Sequence, residues 1–199
     1  MNKTTFDDKI ADIPAVVYAI LSDDHRIGFS MASEPRTGSL LRTLAASKPG
    51  GHFLEMGTGT GVGTGWILDG MDASASLDSV ESDGKVLEIA RRHLSHDKRV
   101  TFHHTDGAEF LARPPRNQYD FIYADTWPGK YTHLDLALSL LRVGGVYFVD
   151  DLSPQPSWPE GHSQRITRLV QELENRREFV MTKLAWSSGL MILTRTKPA

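Results

Sequence analysis

Between residues 52 and 150 the sequence alternates short apolar runs with stretches of helical periodicity. The apolar runs have the length of buried strands, and the stretches between them repeat apolar residues every three or four positions. This alternation favours a parallel sheet whose crossover helices cover both faces. We predict strands at 52–56, 76–81, 100–104, 119–124 and 145–150, and helices at 63–70, 84–95, 107–112 and 132–142.

The segments before residue 52 and after residue 150 also show helix and strand patterns. Apolar residues at helical spacing predict a helix over 10–21, and a second helix that follows Glu34 and ends at 49–51. Beyond a proline-rich loop at 153–159, the spacing of apolar residues predicts a helix around 166–173 and strands near 178–184 and 190–195. The predicted fold is therefore α/β: a Rossmann-like, doubly wound, mostly parallel seven-stranded sheet with helices on both faces.

Length and composition bound the possible functions. A chain of 199 residues with 40% hydrophobic content can bury one core, so we predict a single domain with an N-terminal helical segment (1–50) and a Rossmann-like core (51–199). A net charge of −3 argues against nucleic acid as a partner. The sequence has no cysteine, no secretory leader and no long apolar run, so we expect a cytoplasmic protein without a membrane partner.

A glycine-rich turn follows the first predicted strand, at the sheet edge where open α/β folds bind ligands. The pyrophosphate fingerprint needs a further glycine five residues after the first, but Val62, Thr64 and Trp66 stand at those positions. The two Gly-Lys pairs, at 84–85 and 129–130, lack the leading glycine and the hydroxyl residue of a Walker loop. The turn therefore fits neither a dinucleotide nor a nucleoside triphosphate.

Two acidic residues accompany this turn. Glu55 stands two residues before the first glycine, where a strand would carry an apolar residue, and favours a cationic ligand without phosphate. The alternative is that Glu55 caps the next helix or pairs with a basic side chain. Glu81 ends the second strand, where a carboxylate can accept both hydroxyls of a ribose; the alternative is a solvated loop carboxylate.

The run Glu55-Met56-Gly57-Thr58-Gly59-Thr60-Gly61 resembles the first motif of the class I S-adenosylmethionine-dependent methyltransferases, and the resemblance covers roughly residues 30 to 195. It implies S-adenosylmethionine as cofactor. The cofactor-binding residues that it implies are Ser33, Glu55, Gly57, Thr58, Gly59, Gly61, Glu81, Asp106, Gly107 and Asp125. Asp106 would accept from the adenine amine, although a plain helix N-cap would look the same in the sequence.

Three carboxylates follow the fourth and fifth strands, namely Asp125, Asp150 and Asp151. Carboxylates that converge repel one another, so a divalent cation, a cationic acceptor or a shared proton should relieve them. The pattern resembles the cation-dependent catechol and caffeoyl-CoA O-methyltransferases, which implies Mg²⁺ or Ca²⁺ held by these three residues. Two positions depart from that family: Asp151 replaces its asparagine, and Pro128 replaces its lysine. The alternative for Asp150 and Asp151 is a helix cap with a salt bridge.

The resemblance implies methyl transfer to the hydroxyl of a small-molecule acceptor, with or without help from a divalent cation. The alternatives are a metal-independent N- or O-methyltransferase and a non-catalytic S-adenosylmethionine-binding module. Candidate catalytic bases are Asp125, Asp151 and His162, in that order, although a histidine such as His162 is more often solvated or capping. The loop at 154–159 is interpreted as an acceptor lid or a dimer contact, and a homodimer is the expected assembly if the chain oligomerises.

Overall fold

The computed structural model describes residues 8–10, 12–113, 118–155 and 158–198. Its strands are β1 (His52–Met56), β2 (Ser76–Glu81), β3 (Val100–His104), β4 (Tyr119–Ala124), β5 (Leu141–Val149), β6 (Phe179–Leu184) and β7 (Leu190–Arg195). Its helices are α1 (Ala15–Ile27), α2 (Pro35–Ala46), α3 (Val62–Gly70), α4 (Gly84–Leu94), α5 (Gly107–Ala112), α6 (Leu134–Ser139) and α7 (His162–Glu174).

The strands form one seven-stranded sheet in the order β3-β2-β1-β4-β5-β7-β6. The first five strands are parallel, and β7 runs antiparallel to both β5 and β6. The strand order reverses beside β1, which pairs with β2 on one side and β4 on the other. The predicted Rossmann-like fold is confirmed, and the reversal opens a crevice at the carboxyl ends of β1 and β4.

Alternating side chains of the central strands form two cores. On one face, Phe121 lies between Phe53 and Phe148, with ring centroids 5.7 and 6.2 Å apart. Trp66 of α3 belongs to this cluster and is fully buried. On the other face, Leu54 and its neighbours in β4 and β5 pack against α6 and α7. The core thus fixes the strand ends from which the site residues project.

Three elements, α1, β5 and α6, differ clearly in their bounds from the sequence prediction. The first helix begins at Ala15 rather than at residue 10, because Pro14 has an extended backbone (ψ 140°), and it continues to Gly28, whose φ of 70° ends it. The strand β5 begins at Leu141 rather than 145, so α6 is shorter than predicted. A register shift between β4 and β5 accommodates the glycines at 144–145 within the strand.

Among the described residues, none of the helices combines the length and the apolar character needed to cross a membrane.

Candidate functional site

The glycine turn connects β1 to α3 at the reversal of strand order. Gly57, Gly59 and Gly61 have φ values of 101°, 54° and 96°, which lie in the left-handed region that favours glycine. A Cβ on Gly57 would lie 2.8 Å from the carbonyl oxygen of Asp125, so the turn passes close to the end of β4. The amides of Gly57 and Thr58 both donate to the carbonyl of Val80, which fixes the turn against β2 as well.

Glu55 projects from β1 into the interior behind this turn and is fully buried. Its Oε2 accepts hydrogen bonds from Thr64 (2.5 Å) and Ser79 (2.6 Å), whereas its Oε1 has no partner among the described residues. Burial, with a smaller contribution from the charge of Glu81, raises the pKa of Glu55 from its usual 4.5 to about 7. Within the described chain Glu55 neither caps α3 nor pairs with a basic side chain, in contrast to the alternative considered from the sequence.

The unpaired Oε1 of Glu55 packs closely against Gly63, where no Cβ intervenes. A Cβ on Gly63 would lie 2.6 Å from Oε1, 3.1 Å from the Tyr123 ring and 3.4 Å from the hydroxyl of Ser33. Ser33 and Tyr123 are joined by a hydrogen bond of 3.0 Å between their hydroxyls. These four residues form a polar cradle with one buried acceptor to spare, which fits the ammonium group of a methionine moiety.

Glu81 ties the end of β2 to the glycine turn. Its Oε2 accepts from the amide of Gly59 (2.9 Å), and its Oε1 accepts from the amides of Ser82 and Asp83 (both 2.9 Å). The side chain is therefore held in place rather than free in solvent. Each carboxylate oxygen can accept more than one hydrogen bond, so Glu81 retains capacity for ribose hydroxyls.

Asp106 caps the N-terminus of α5. Its Oδ1 accepts from the amides of Ala108 (2.8 Å) and Glu109 (3.2 Å). The next residue, Gly107, packs closely: a Cβ there would lie 2.9 Å from side-chain atoms of both Met56 and Pro128. Asp106 is therefore the N-cap of α5, and its Oδ2 takes no part in the cap.

The three predicted metal-binding carboxylates lie close enough to influence one another's charge. Asp150 is buried, and Asp125 and Asp151 are partly exposed. Burial raises the pKa of all three, and the charges of Asp150 and Asp151 raise that of Asp125 further. Asp151 has a φ of 57°, an uncommon value for a residue other than glycine.

The donor set of this cluster does not fit a metal ion. Asp150 Oδ2 accepts from the Tyr123 hydroxyl (2.9 Å), and its Oδ1 accepts from the Ser188 hydroxyl and from the amide of Asp151 (2.7 Å). In the part of the chain that the structure describes, no three His, Cys, Asp or Glu side chains are grouped to hold an ion. The predicted magnesium or calcium site therefore gains no support, and no step of the chemistry is derived through a metal.

Lys130 is the site residue that the sequence interpretation underrated. It is buried, and its Nζ donates to the carbonyl oxygen of Asp150 at 2.5 Å. The amides of Lys130, Tyr131 and Thr132 all donate to the carbonyl of Trp127, which makes a compact turn. The available signal was a lysine in the loop that follows Asp125, directly before the aromatic residue Tyr131.

Aromatic residues form a wall beside the carboxylates. His162 begins α7 and lies among Trp158, Tyr131 and Trp127, with ring centroids 4.8, 5.3 and 6.3 Å away. It is 8% exposed; its Nε2 lies 3.3 Å from the Tyr131 hydroxyl, and its Nδ1 has no partner among the described residues. Burial, helped by the charges of Lys130 and of a nearby arginine, lowers its pKa. His162 is thus buried rather than solvated.

The proline-rich loop that we interpreted as a lid or a dimer contact runs past this wall. Residues 156 and 157 of that loop lie outside the described residues, whereas Trp158 contributes its ring to the wall. The interpretation of the loop therefore stays a prediction.

Comparison with known proteins gives the same picture. A family model described as "Methyltransferase domain" matches residues 54–152. A protein named as a probable O-methyltransferase, Rv1220c of Mycobacterium tuberculosis, is 30% identical over 123 residues, which are 59% of this chain and 55% of that protein. The chain thus spans about half the length of the curated relatives it matches.

Solved structures share the fold at low identity. The O-methyltransferase of Bacillus cereus in complex with S-adenosylhomocysteine superposes with a TM-score of 0.83 at 20% identity, covering 95% of this chain and 94% of that one. TomG of Streptomyces achromogenes, an O-methyltransferase of tomaymycin synthesis in complex with S-adenosylmethionine, gives a TM-score of 0.81 at 20% identity, covering 94% and 92%. Residues 54–152 thus match a methyltransferase domain, and the strand order and the glycine turn agree with the fold of these O-methyltransferase structures.

Proposed function

We propose that this chain binds S-adenosylmethionine at the glycine turn and transfers its methyl group to a hydroxyl of a small-molecule acceptor. The observation that carries the proposal is the buried, unpaired Oε1 of Glu55 beside the bare α-carbon of Gly63. A buried acceptor without a donor is costly unless a ligand supplies the donor. The cofactor has a suitable ammonium group and, unlike a nucleotide, carries no phosphate.

Three parts of the site would hold the cofactor. Glu55 and Ser33 would bind its amino-acid end, and the turn from Gly57 to Gly61 would lie against it without an intervening Cβ. Glu81, already fixed by the amide of Gly59, would accept the ribose hydroxyls. The bound cofactor supplies an activated methyl group on a sulfonium. The main task of the protein is then to align donor and acceptor, which is worth about 7–11 kcal/mol when the geometry is good.

The aromatic wall supports a planar acceptor. Trp127 is 44% exposed, and its ring meets the Tyr131 ring edge-on at 5.7 Å, so the wall offers an apolar face next to Asp125. A lowered pKa keeps His162 neutral near pH 7, with Nδ1 free to take the proton of the acceptor hydroxyl. Asp125 and Asp151 are the other candidate bases, and their raised pKa values suit proton transfer.

The proposal is tested first by calorimetric titration with S-adenosylhomocysteine. The expected result is saturable binding by the wild type, at least about tenfold weaker binding by Glu55→Gln, and unchanged binding by the control Glu88→Gln, whose side chain is exposed on α4. Absence of binding by the wild type would contradict the proposal.

The reaction is tested by transfer of a radiolabelled methyl group to a panel of phenols, catechols, alcohols and amines. Label on a hydroxyl oxygen is the expected result. Label on nitrogen would favour an N-methyltransferase, and cofactor binding without any product would favour a binding module. The cytoplasmic location, the homodimer and the single-domain organisation stay predictions.

A further inference from the structure

The carboxylate cluster surrounds a cation that belongs to the chain itself. Lys130 is 4% exposed, and the positive charge of its ammonium group lowers the pKa of both Asp125 and Asp151. The carbonyl oxygen of Asp150 accepts one of its three N–H donors. Lys130 therefore lies among the three residues for which the sequence predicts a divalent cation.

The arrangement of Asp150 is consistent with this reading. Oδ1 of Asp150 already accepts two hydrogen bonds, its Oδ2 accepts one from the Tyr123 hydroxyl, and its main-chain oxygen accepts from Lys130, so few of its lone pairs are left for an ion. These donors hold Asp150 as a fixed anchor for the lysine. The ammonium group also acts on Asp125 and Asp151, because its positive charge lowers the pKa of both carboxyls.

The ammonium group also keeps donors available. No ion pair within 4.0 Å joins Lys130 to a carboxylate in the described ranges, so Asp125 and Asp151 act on it through space rather than by direct contact. Two N–H groups remain for a polar atom that enters between lysine and carboxylates, such as the oxygen of an acceptor.

We propose that Lys130 supplies the positive charge that a divalent cation would otherwise supply among Asp125, Asp150 and Asp151, so that methyl transfer by this chain needs no metal ion. The inference rests on the proposed function for its activity readout. Its metal-binding readout is independent of that function. Lys130 is a positioning residue: it anchors the cluster through Asp150 and balances the charges of the other two carboxylates.

The experiment compares chelator-treated wild type with Lys130→Met, Lys130→Arg and the control Lys85→Met, whose side chain is exposed at the start of α4. Mn²⁺ binding is measured by electron paramagnetic resonance. The wild type, Lys130→Arg and the control should show no saturable site. Lys130→Met should gain one, because it frees the main-chain oxygen of Asp150 and leaves Asp125 and Asp151 uncompensated.

Transfer activity gives the second readout. The wild type should keep full activity after chelation, and added Mg²⁺ or Mn²⁺ should change its rate less than about twofold, which is under 1 kcal/mol in the barrier. A saturable Mn²⁺ site in the wild type, or activity that chelation removes and a metal ion restores, would overturn the inference.

The binding and activity results for a variant are interpreted only after thermal melting has shown that the variant folds. If Lys130→Met does not fold, Lys130→Gln takes its place, and the wild-type arms decide the inference by themselves. A folded neutral variant that gains no Mn²⁺ site would also overturn it. Failure of the wild type to bind S-adenosylhomocysteine would instead refute the proposed function, and the Mn²⁺ measurements would still decide the role of Lys130.

Discussion

Replacing Glu55 with glutamine should separate the contribution of this residue to cofactor binding from its effect on the free energy of unfolding. The pKa of Glu55 is about 7 in the folded chain against a usual 4.5, so between these values the folded chain holds a proton that the unfolded chain has lost. Stability therefore falls as pH rises through this window and is level above it. At about 1.4 kcal/mol per pKa unit, the loss approaches about 3 kcal/mol by about pH 8.

Glu55→Gln has no such titration. Its side-chain oxygen can still accept from Thr64 and Ser79, so the variant should match the wild type at about pH 4 and exceed it by up to about 3 kcal/mol near about pH 8. For a domain of this size, that difference corresponds to a rise in Tm of up to roughly 10 °C.

The assay is urea unfolding of both proteins at several pH values, with Glu88→Gln as control. The variant should be more stable above pH 7 and bind S-adenosylhomocysteine more weakly. A variant that is less stable than the wild type by the same amount at every pH would refute the reasoning, because it would make Glu55 a purely structural residue.

Four further predictions concern other parts of the site and the fold. Gly63→Ala places a methyl group 2.6 Å from Glu55 Oε1 and should weaken S-adenosylhomocysteine binding at least about tenfold in calorimetry; unchanged affinity would argue against the cradle. His162→Phe keeps an aromatic ring in the wall but removes the base, so transfer should slow by about 100-fold while cofactor binding persists; an equal rate would exclude His162 as the base. With wild-type His162, whose pKa is lowered, the rate should rise with pH and level off at a lower pH than an ordinary histidine would give, and a rise that continues well above neutral pH would point to another group. Arg195→Met removes a buried guanidinium that donates to three main-chain carbonyl oxygens, and urea unfolding should show a loss of about 2–4 kcal/mol; a loss below about 1 kcal/mol would contradict this.

Much of the fold follows from local pattern. The bounds of β1, β2, β3, β4 and β7 agree with those predicted from the sequence, because each strand is a short apolar run that ends at glycines, acidic residues or other turn formers. Because β1, β2 and β4 are neighbours in the sheet, the acidic residues Glu55, Glu81 and Asp125 at their ends lie along one edge. The bounds predicted for α1 and β5 were wrong. In both elements a proline or glycine, which favours a break, stands beside an apolar pattern that continues the element, as at Pro14 and at the glycines within β5.

The burial and the hydrogen-bond partners of the site's side chains could not be predicted in the same way. Glu55 owes its buried position and free oxygen to residues 9 and 24 positions away in the sequence, on different elements. Lys130 turns inward because its loop closes on the carbonyl of Trp127, and His162 is buried by rings from two separate loops. Such features depend on tertiary packing, which spacing alone does not encode.

The most direct test of the central claim is a crystal structure of the chain with S-adenosylhomocysteine. The account predicts the ligand across the ends of β1 and β2, its amino nitrogen within about 3 Å of Glu55 Oε1. Its ribose hydroxyls should contact Glu81. A ligand bound with its amino group elsewhere, leaving Glu55 Oε1 unpaired, would contradict the account.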